Sequence, residues 1–201
     1  MRGRKMFSLF FEDDFYSYVN RIYDEIRDYL LKNQNEEFFN RNKEDTCMEL
    51  FKKYSISFLE VDENIKCISK DNFYYDTDLF GEKIKKPIYT FGVNFSGDEN
   101  LFRIKTSGPE VHVFKAYFSN NSDEDLLCFD IEFHDKSSLK DVFNRNKNYL
   151  FSKVDYINKD VERYNSEIKQ EIFRLYDYYE SNFHEETELL EELGVERYVK
   201  K

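Results

Sequence analysis

The sequence predicts an α+β fold: N-terminal helices, then a central antiparallel sheet of four to five strands, then a long C-terminal helix or helical hairpin. Three observations predict it. Apolar residues recur three and four apart near the N-terminus, alternate with polar ones between about residues 55 and 133, and return to helical spacing from Leu139 to Leu193. That last stretch contains no glycine and no proline. The predicted domains are an α+β core, residues 1–136, and a long amphipathic helical segment, residues 137–201.

Two helices are predicted before the first strand. Residues 12–33 are amphipathic, and the acidic residues 12–14 are expected in the first turn, where the helix dipole favours negative charge. A second helix is predicted over about residues 35–53, with glutamates at its start and lysines at its end. The apolar stripe of the first helix consists of Phe15, Val19, Ile22, Ile26 and Tyr29/Leu30.

The middle of the chain has the alternation and the β-branched and aromatic content of strands. A loop is predicted over residues 70–82, where polar and aromatic residues are mixed before Gly81. The last two strands are expected to form an antiparallel hairpin across the polar loop Ser119–Asp125. The predicted strands are Ser55–Asp62 with Asn64–Ser69 paired to it, Pro87–Phe95, Val111–Phe118 and Leu126–Phe133.

The long C-terminal helix is the most informative feature of the chain. Ser137 or Ser138 is expected to cap it and Gly194 to end it, and a break would fall near Asn144–Asn148. An unbroken helix of this length would extend about 80 Å at 1.5 Å per residue, so we expect a hairpin or a partner. Its apolar stripe keeps a rhythm close to seven residues, as in a coiled coil. The stripe is Leu150, Val154, Ile157, Val161, Tyr164, Ile168, Ile172, Leu175, Tyr179 and Phe183.

This helix is therefore predicted to mediate self-association or binding of a protein partner. The inner half is expected to pack within the chain, in part on the first helix, and the outer half, Leu175–Leu193, to be an exposed assembly surface. Glutamates crowd the stretch His184–Glu192, where they oppose the helix dipole, and a basic partner would relieve this repulsion. The predicted interaction residues are Leu175, Tyr179, Phe183, Leu189, Leu190 and Leu193.

The charge and the cysteines restrict the class of protein. A net charge of −11 disfavours a broad nucleic-acid-binding face, so no direct nucleic acid binding is predicted, although net charge does not argue against a local basic patch. No stretch approaches the ~20 apolar residues of a membrane span. Cys47, Cys67 and Cys128 lie far apart without a CxxC pair, which predicts reduced thiols in a cytoplasmic protein.

One group of residues has the composition of a metal-binding or catalytic site. Asp130, Glu132 and His134 alternate on one predicted strand and share a face, and carboxylates with an imidazole can bind a metal or act as acid and base. The other interpretation is a half-exposed strand whose apolar residues face inward. His112 on the neighbouring strand favours the catalytic interpretation. Because the sequence has only three histidines and lacks phosphate-binding glycine loops and nucleophile elbows, no intrinsic catalysis and no cofactor are predicted.

Two short segments together resemble a known module. Tyr89–Phe102 (YTFGVNFSGDENLF) resembles a strand followed by F-[ST]-G-D-x-x-L-[FL], and Leu189–Val195 (LLEELGV) resembles an L-L-x-x-L-G-V helix ending. Both occur in an uncharacterised module of bacterial proteins that stands ahead of effector domains such as TIR or nuclease domains. The resemblance implies anti-phage defence, and it assigns no catalytic residue. The module usually has a proline after Gly-Val, where this chain has Glu196, so we expect an effector to be absent, supplied in trans or cut off.

Three functions follow from these observations. The first is a non-enzymatic protein-interaction or sensing module of a bacterial, defence-related system. The second is a metal-assisted hydrolase that uses Asp130, Glu132 and His134. The third is an acidic, phage-type inhibitor that mimics nucleic acid with the glutamates near the end of the long helix.

Overall fold

The computed structural model describes residues 5–77, 80–109, 113–119 and 125–195, and it has the predicted α+β architecture. Its contacts group the chain into two compact units. The first contains residues 1–15 and 57–161, and the second contains residues 16–56 and 162–201. The long helix, α4 (Lys136–Glu192), contributes residues to both units.

The first unit is built on an antiparallel sheet. The strands of this unit are β1 (Phe7–Ser8), β2 (Asp13–Asp14), β3 (Glu60–Val61), β4 (Lys66–Thr77), β5 (Lys83–Ser96), β6 (Ile104–Lys105), β7 (Lys115–Ser119) and β8 (Leu126–Glu132). Among the described residues, six of them form this sheet in the order β1–β7–β8–β5, with β3 and β4 both paired to the far side of β5. The short strands β2 and β6 form a separate parallel pair.

One face of the sheet carries aromatic and aliphatic residues into the core. Phe91 lies opposite Phe129 in the β5–β8 register, and the Phe91 ring centroid lies 4.7 Å from that of Phe143 on α4. The predicted pairing of the last two strands is confirmed, with Tyr117 opposite Cys128. Residues 111, 112 and 120–124 of that hairpin, including His112, lie outside the described residues.

The prediction for residues 55–82 is wrong in two respects. The regular strand predicted at Ser55–Asp62 is reduced to the two residues of β3, which pair with Ser96 and Phe95. The predicted loop over residues 70–82 is instead, up to Thr77, the second half of β4, which pairs along β5 rather than with residues 55–62. The aromatic residues that made this segment ambiguous are good strand formers, and a register with β5 allows them to pair.

The backbone of residues 56–59 is held by two asparagines of α4 rather than by a strand. In the second unit, the side-chain amide of Asn165 accepts a hydrogen bond from Ile56 N at 3.0 Å and donates one to Ile56 O at 2.9 Å. In the first unit, Asn158 accepts from Leu59 N at 2.9 Å and donates to Leu59 O at 2.8 Å. Each amide thus satisfies a donor and an acceptor that a strand partner would otherwise satisfy, which is why the alternating pattern does not become a strand.

The SGD motif closes the turn after β5. Gly97 has φ +102°, and a Cβ added there would lie 2.0 Å from the Phe58 carbonyl oxygen. The Asp98 side chain accepts a hydrogen bond from Asn100 N at 3.0 Å and caps a 3₁₀ helix, Glu99–Arg103. Leu101 and Phe102 in that helix are fully buried, as predicted for residues that return the chain to the core.

The N-terminal helices are α1 (Phe15–Lys32), α2 (Glu36–Phe39) and α3 (Lys43–Tyr54), and they lie in the second unit except for Phe15. The first helix begins later than predicted, because Asp13 and Asp14 form β2 in the first unit and pair with β6. The predicted second helix is divided into α2 and α3. The Asn35 side chain caps α2 by accepting from Phe38 N, and Asn42 caps α3 by accepting from Asp45 N.

The α4 helix has no break among its residues, so the hairpin alternative is wrong. Asp135, rather than a serine, caps it: the carboxylate accepts hydrogen bonds from Ser138 N at 2.9 Å and Ser137 N at 2.8 Å, and its contacts with Ser138 above all lower the pKa of Asp135. At the other end Gly194 has φ +66°, and Val195 N donates to Leu190 O at 3.0 Å. This Schellman geometry confirms Gly194 as the residue that ends the helix.

The core of the second unit is rich in rings. The Tyr164 hydroxyl donates to Tyr54 O at 3.1 Å, and the Tyr164 ring lies edge-on to Tyr23 of α1. Tyr176 is fully buried against Phe38 and Phe39, with ring centroids 6.0 and 5.4 Å away. Burial raises the pKa of Tyr176 to about 12, and its hydroxyl has no hydrogen-bond partner among the described residues.

Replacing Tyr176 with phenylalanine is expected to preserve or raise stability. The variant keeps the ring contacts and removes a hydroxyl whose burial without a partner costs about 1–3 kcal/mol. Urea denaturation of both proteins measures the difference. Tyr164→Phe is the matched control, because it deletes a hydroxyl that does donate a hydrogen bond, and it is expected to be destabilising. A Tyr176→Phe variant less stable than wild type would show that the hydroxyl is satisfied in solution.

Candidate interaction surface

The apolar stripe of α4 is buried along most of its length. Its members from Leu150 to Ile172 are all buried, in the first unit up to Val161 and in the second unit beyond it. The expectation that Leu175 and Phe183 are exposed is wrong, because both are buried. Phe183 packs on Phe39, with 5.3 Å between ring centroids, and Tyr179 is half-buried. The residues of the stripe are therefore buried or half-buried as far as Phe183, and exposed members of the predicted interaction set occur only after it.

The end of α4 carries exposed apolar residues. Leu189 is 53% exposed, Leu193 65% and Val195 50%, while Leu190 is half-buried. The hydrogen bond from Val195 N to Leu190 O folds Val195 back over the final turn. These four residues, called here the helix-end cluster, therefore form a short apolar surface at the last turns of the helix, and they include the predicted Leu189, Leu190 and Leu193.

Carboxylates surround the helix-end cluster. Glu188, Glu191 and Glu192 are exposed, and none of them has a basic partner among the described residues. Within Lys136–Glu192, the last turn contains no basic residue. Negative charge at a helix C-terminus is unfavourable, and a cation brought there by a partner would be stabilised.

A second exposed surface lies at the far end of the β4–β5 hairpin, which sequence reasoning missed because it predicted a loop there. β8 pairs with β5 only over Ile88–Asn94, so residues 83–86 of β5 have β4 alone as a strand neighbour in the described ranges. Tyr75 lies opposite Lys85 and Phe73 opposite Pro87 on one face. The signal that could have revealed it is the aromatic and β-branched content of residues 73–77, which favours a strand.

This face combines aromatic rings with lysines. Phe73 is 48% exposed and Tyr75 69%, and Lys85 Nζ lies 3.8 Å from the centroid of the Phe73 ring. Lys83, opposite Thr77, is exposed on the same face. Neither Lys83 nor Lys85 has a carboxylate partner within the part of the chain that the structure describes. We call Phe73, Tyr75, Lys83 and Lys85 the ribbon face.

The alternative catalytic residues do not converge on one point. Asp130 Oδ1 accepts hydrogen bonds from Thr90 Oγ1 at 2.7 Å and from the Tyr117 hydroxyl at 3.2 Å. His134 lies instead beside Tyr74, with its Nδ1 3.0 Å from the Tyr74 hydroxyl, and its Nε2 lies 3.9 Å from Glu132 Oε2. Asp130 is thus engaged by hydroxyls from neighbouring strands, while Glu132 and His134 lie at and beyond the end of β8.

Asp76 and Lys86 complete the polar group around His134. Lys86 Nζ lies 2.6 Å from Asp76 Oδ2, and this contact lowers the pKa of Asp76 and raises that of Lys86. Within the part of the chain that the structure describes, no three His, Cys, Asp or Glu side chains are placed to hold a metal ion. His112, which favoured the catalytic interpretation, lies outside that part.

The three cysteines are thiols rather than disulfides, as predicted: Cys47 and Cys128 are buried, and Cys67 is exposed. Burial raises the pKa of the Cys47 thiol to about 11, which makes it a poor nucleophile at neutral pH. In the described ranges no helix is long and apolar enough to cross a membrane. No family model, curated protein or solved structure matches the chain.

Proposed function

We propose that this chain is a non-enzymatic protein-interaction module, a component of a bacterial, defence-related system, and that it binds a protein partner or a second copy through the helix-end cluster. The observation that carries the proposal is the exposure of Leu189, Leu193 and Val195 at one helix end. Apolar side chains grouped on a surface and rimmed by polar residues are typical of protein contacts.

The surrounding charge supports the same function. The glutamates beside the cluster, which lack basic partners in the described ranges, raise the local negative potential. That potential selects a partner with lysine or arginine and repels acidic ones. The cluster follows a stretch of α4 that is anchored by Phe183 and by the ion pair between Lys43 and Asp177. It is therefore presented on a regular helix that is held in the second unit up to its last turns.

Replacing Leu189, Leu190 and Leu193 together with serine is expected to abolish partner binding or self-association and to leave the fold intact. The reason is that two of these leucines are more than half exposed, so few core contacts are lost. The measurements are light scattering for mass, affinity purification from cells of the source organism for partners, and circular dichroism for the fold.

Leu31→Ser is the matched control, since Leu31 on α1 is 56% exposed, close to the exposure of Leu189. It should bind as wild type does. If the triple variant unfolds, these leucines belong to the core. If it keeps every association of the wild type, they take no part in binding. Either result contradicts the proposed function.

A further inference from the structure

The ribbon face and the helix-end cluster are opposite in charge and both partly apolar. The ribbon face offers two exposed aromatic rings and two lysines without carboxylate partners among the described residues. The helix-end cluster offers exposed aliphatic side chains beside glutamates that lack basic partners in the same part of the chain. Each surface thus supplies the charge that the other lacks.

This complementarity indicates what covers each surface. Lysines from the ribbon face would meet the negative end of the helix dipole and the glutamates beside it. The aliphatic side chains of the helix-end cluster would pack on the rings of Phe73 and Tyr75, which removes both sets of apolar surface from water.

We propose that the helix-end cluster of one copy docks on the ribbon face of a second copy of this chain. The proposal rests on the proposed function, and it names the partner and its surface. Because the two surfaces differ, the contact is heterologous. The assembly then either closes into a ring or grows as a filament, and the two end copies of a filament each keep one free surface.

Charge reversal on each side tests the pairing. Lys83→Glu with Lys85→Glu, and Glu188→Lys with Glu192→Lys, should each leave the protein a monomer of about 24.6 kDa in sedimentation velocity. In the Glu188→Lys, Glu192→Lys chain, the new lysines at the C-terminal end of α4 stabilise the helix, so a loss of self-association in that chain is not explained by misfolding. A chain with all four reversals should regain self-association, and wild-type assembly should weaken with added salt.

Mixing two defective variants provides the sharpest measurement. A Leu189→Ser, Leu193→Ser chain retains its ribbon face, and a Lys83→Glu, Lys85→Glu chain retains its helix end. Each alone should be monomeric, and an equimolar mixture should form a 1:1 complex and nothing larger, because one intact pair of surfaces remains.

The outcomes separate this proposal from the proposed function. A mixture that stays monomeric, or a wild-type protein that is monomeric at every concentration, overturns docking between copies. If docking between copies fails in this way, but the Leu189→Ser, Leu193→Ser chain no longer captures a different protein that the wild type captures in affinity purification, the proposed function still holds. If the lysine reversals leave self-association unchanged while the serine variant loses it, the ribbon face is the wrong surface and the helix-end cluster still mediates contact.

Discussion

Gly97→Ala is expected to destabilise the protein by about 2–5 kcal/mol, the sum of the costs of a left-handed backbone and of overpacking. The added Cβ would lie 2.0 Å from the carbonyl oxygen of Phe58 and 2.8 Å from its carbonyl carbon. Neither atom belongs to a flexible side chain, so the backbone of residues 57–59 or of the turn would have to move. Chemical denaturation followed by circular dichroism measures the free energy of unfolding.

Gly81→Ala is the control that separates strain from collision. Gly81 also has a positive φ, +84°, but a Cβ there meets nothing within 4 Å among the described atoms. The expected cost is therefore only the roughly 1–2 kcal/mol of the left-handed conformation. If Gly97→Ala cost no more than Gly81→Ala, the close approach to Phe58 would not exist in solution.

Asn158→Ala is expected to cost about 2–6 kcal/mol, because two buried backbone groups each lose a partner at about 1–3 kcal/mol. The substitution leaves the N–H and the carbonyl oxygen of Leu59 without the amide that now satisfies both, and Leu59 is 1% exposed. The same denaturation measurement applies, and the thermal midpoint should fall with it.

Asn148→Ala is the matched control, because Asn148 lies on the exposed side of the same helix. A surface change of this kind is usually within about 0.5 kcal/mol of neutral. Equal effects at Asn148 and Asn158 would mean that the hydrogen bonds from Asn158 to Leu59 contribute nothing to stability.

Local patterns predicted the elements that depend on local interactions. The stripe of α4 and its end at Gly194 follow from helical periodicity and from the left-handed conformation that glycine accepts. The alternation of β8 likewise predicted that Phe129 and Ile131 face the core, and both are buried. Leu189 and Leu193 belong to the same class, since their exposure follows from the helix running on past its last buried residues.

Patterns failed where a distant residue provides the backbone's partner. Residues 56–59 alternate like a strand, yet Asn158 and Asn165, which lie 99 and 109 positions from Leu59 and Ile56, satisfy their backbone groups. The ribbon face was missed for a similar reason, because pairing between β4 and β5 turns a mixed polar and aromatic segment into a strand.

Periodicity and the conformational range of single residues were enough to predict the α+β class, the long C-terminal helix, its end at Gly194 and the turn at Gly97. The burial of Leu175 and Phe183, the hydrogen bonds that Thr90 and Tyr117 donate to Asp130, and the continuity of α4 became known only from the folded chain. The first two depend on contacts between residues distant in the sequence, and for the third the crowded amides near Asn144–Asn148 suggested a break that the helix does not contain. Local patterns do not encode such contacts, because tertiary context overrides the intrinsic preferences on which they rest.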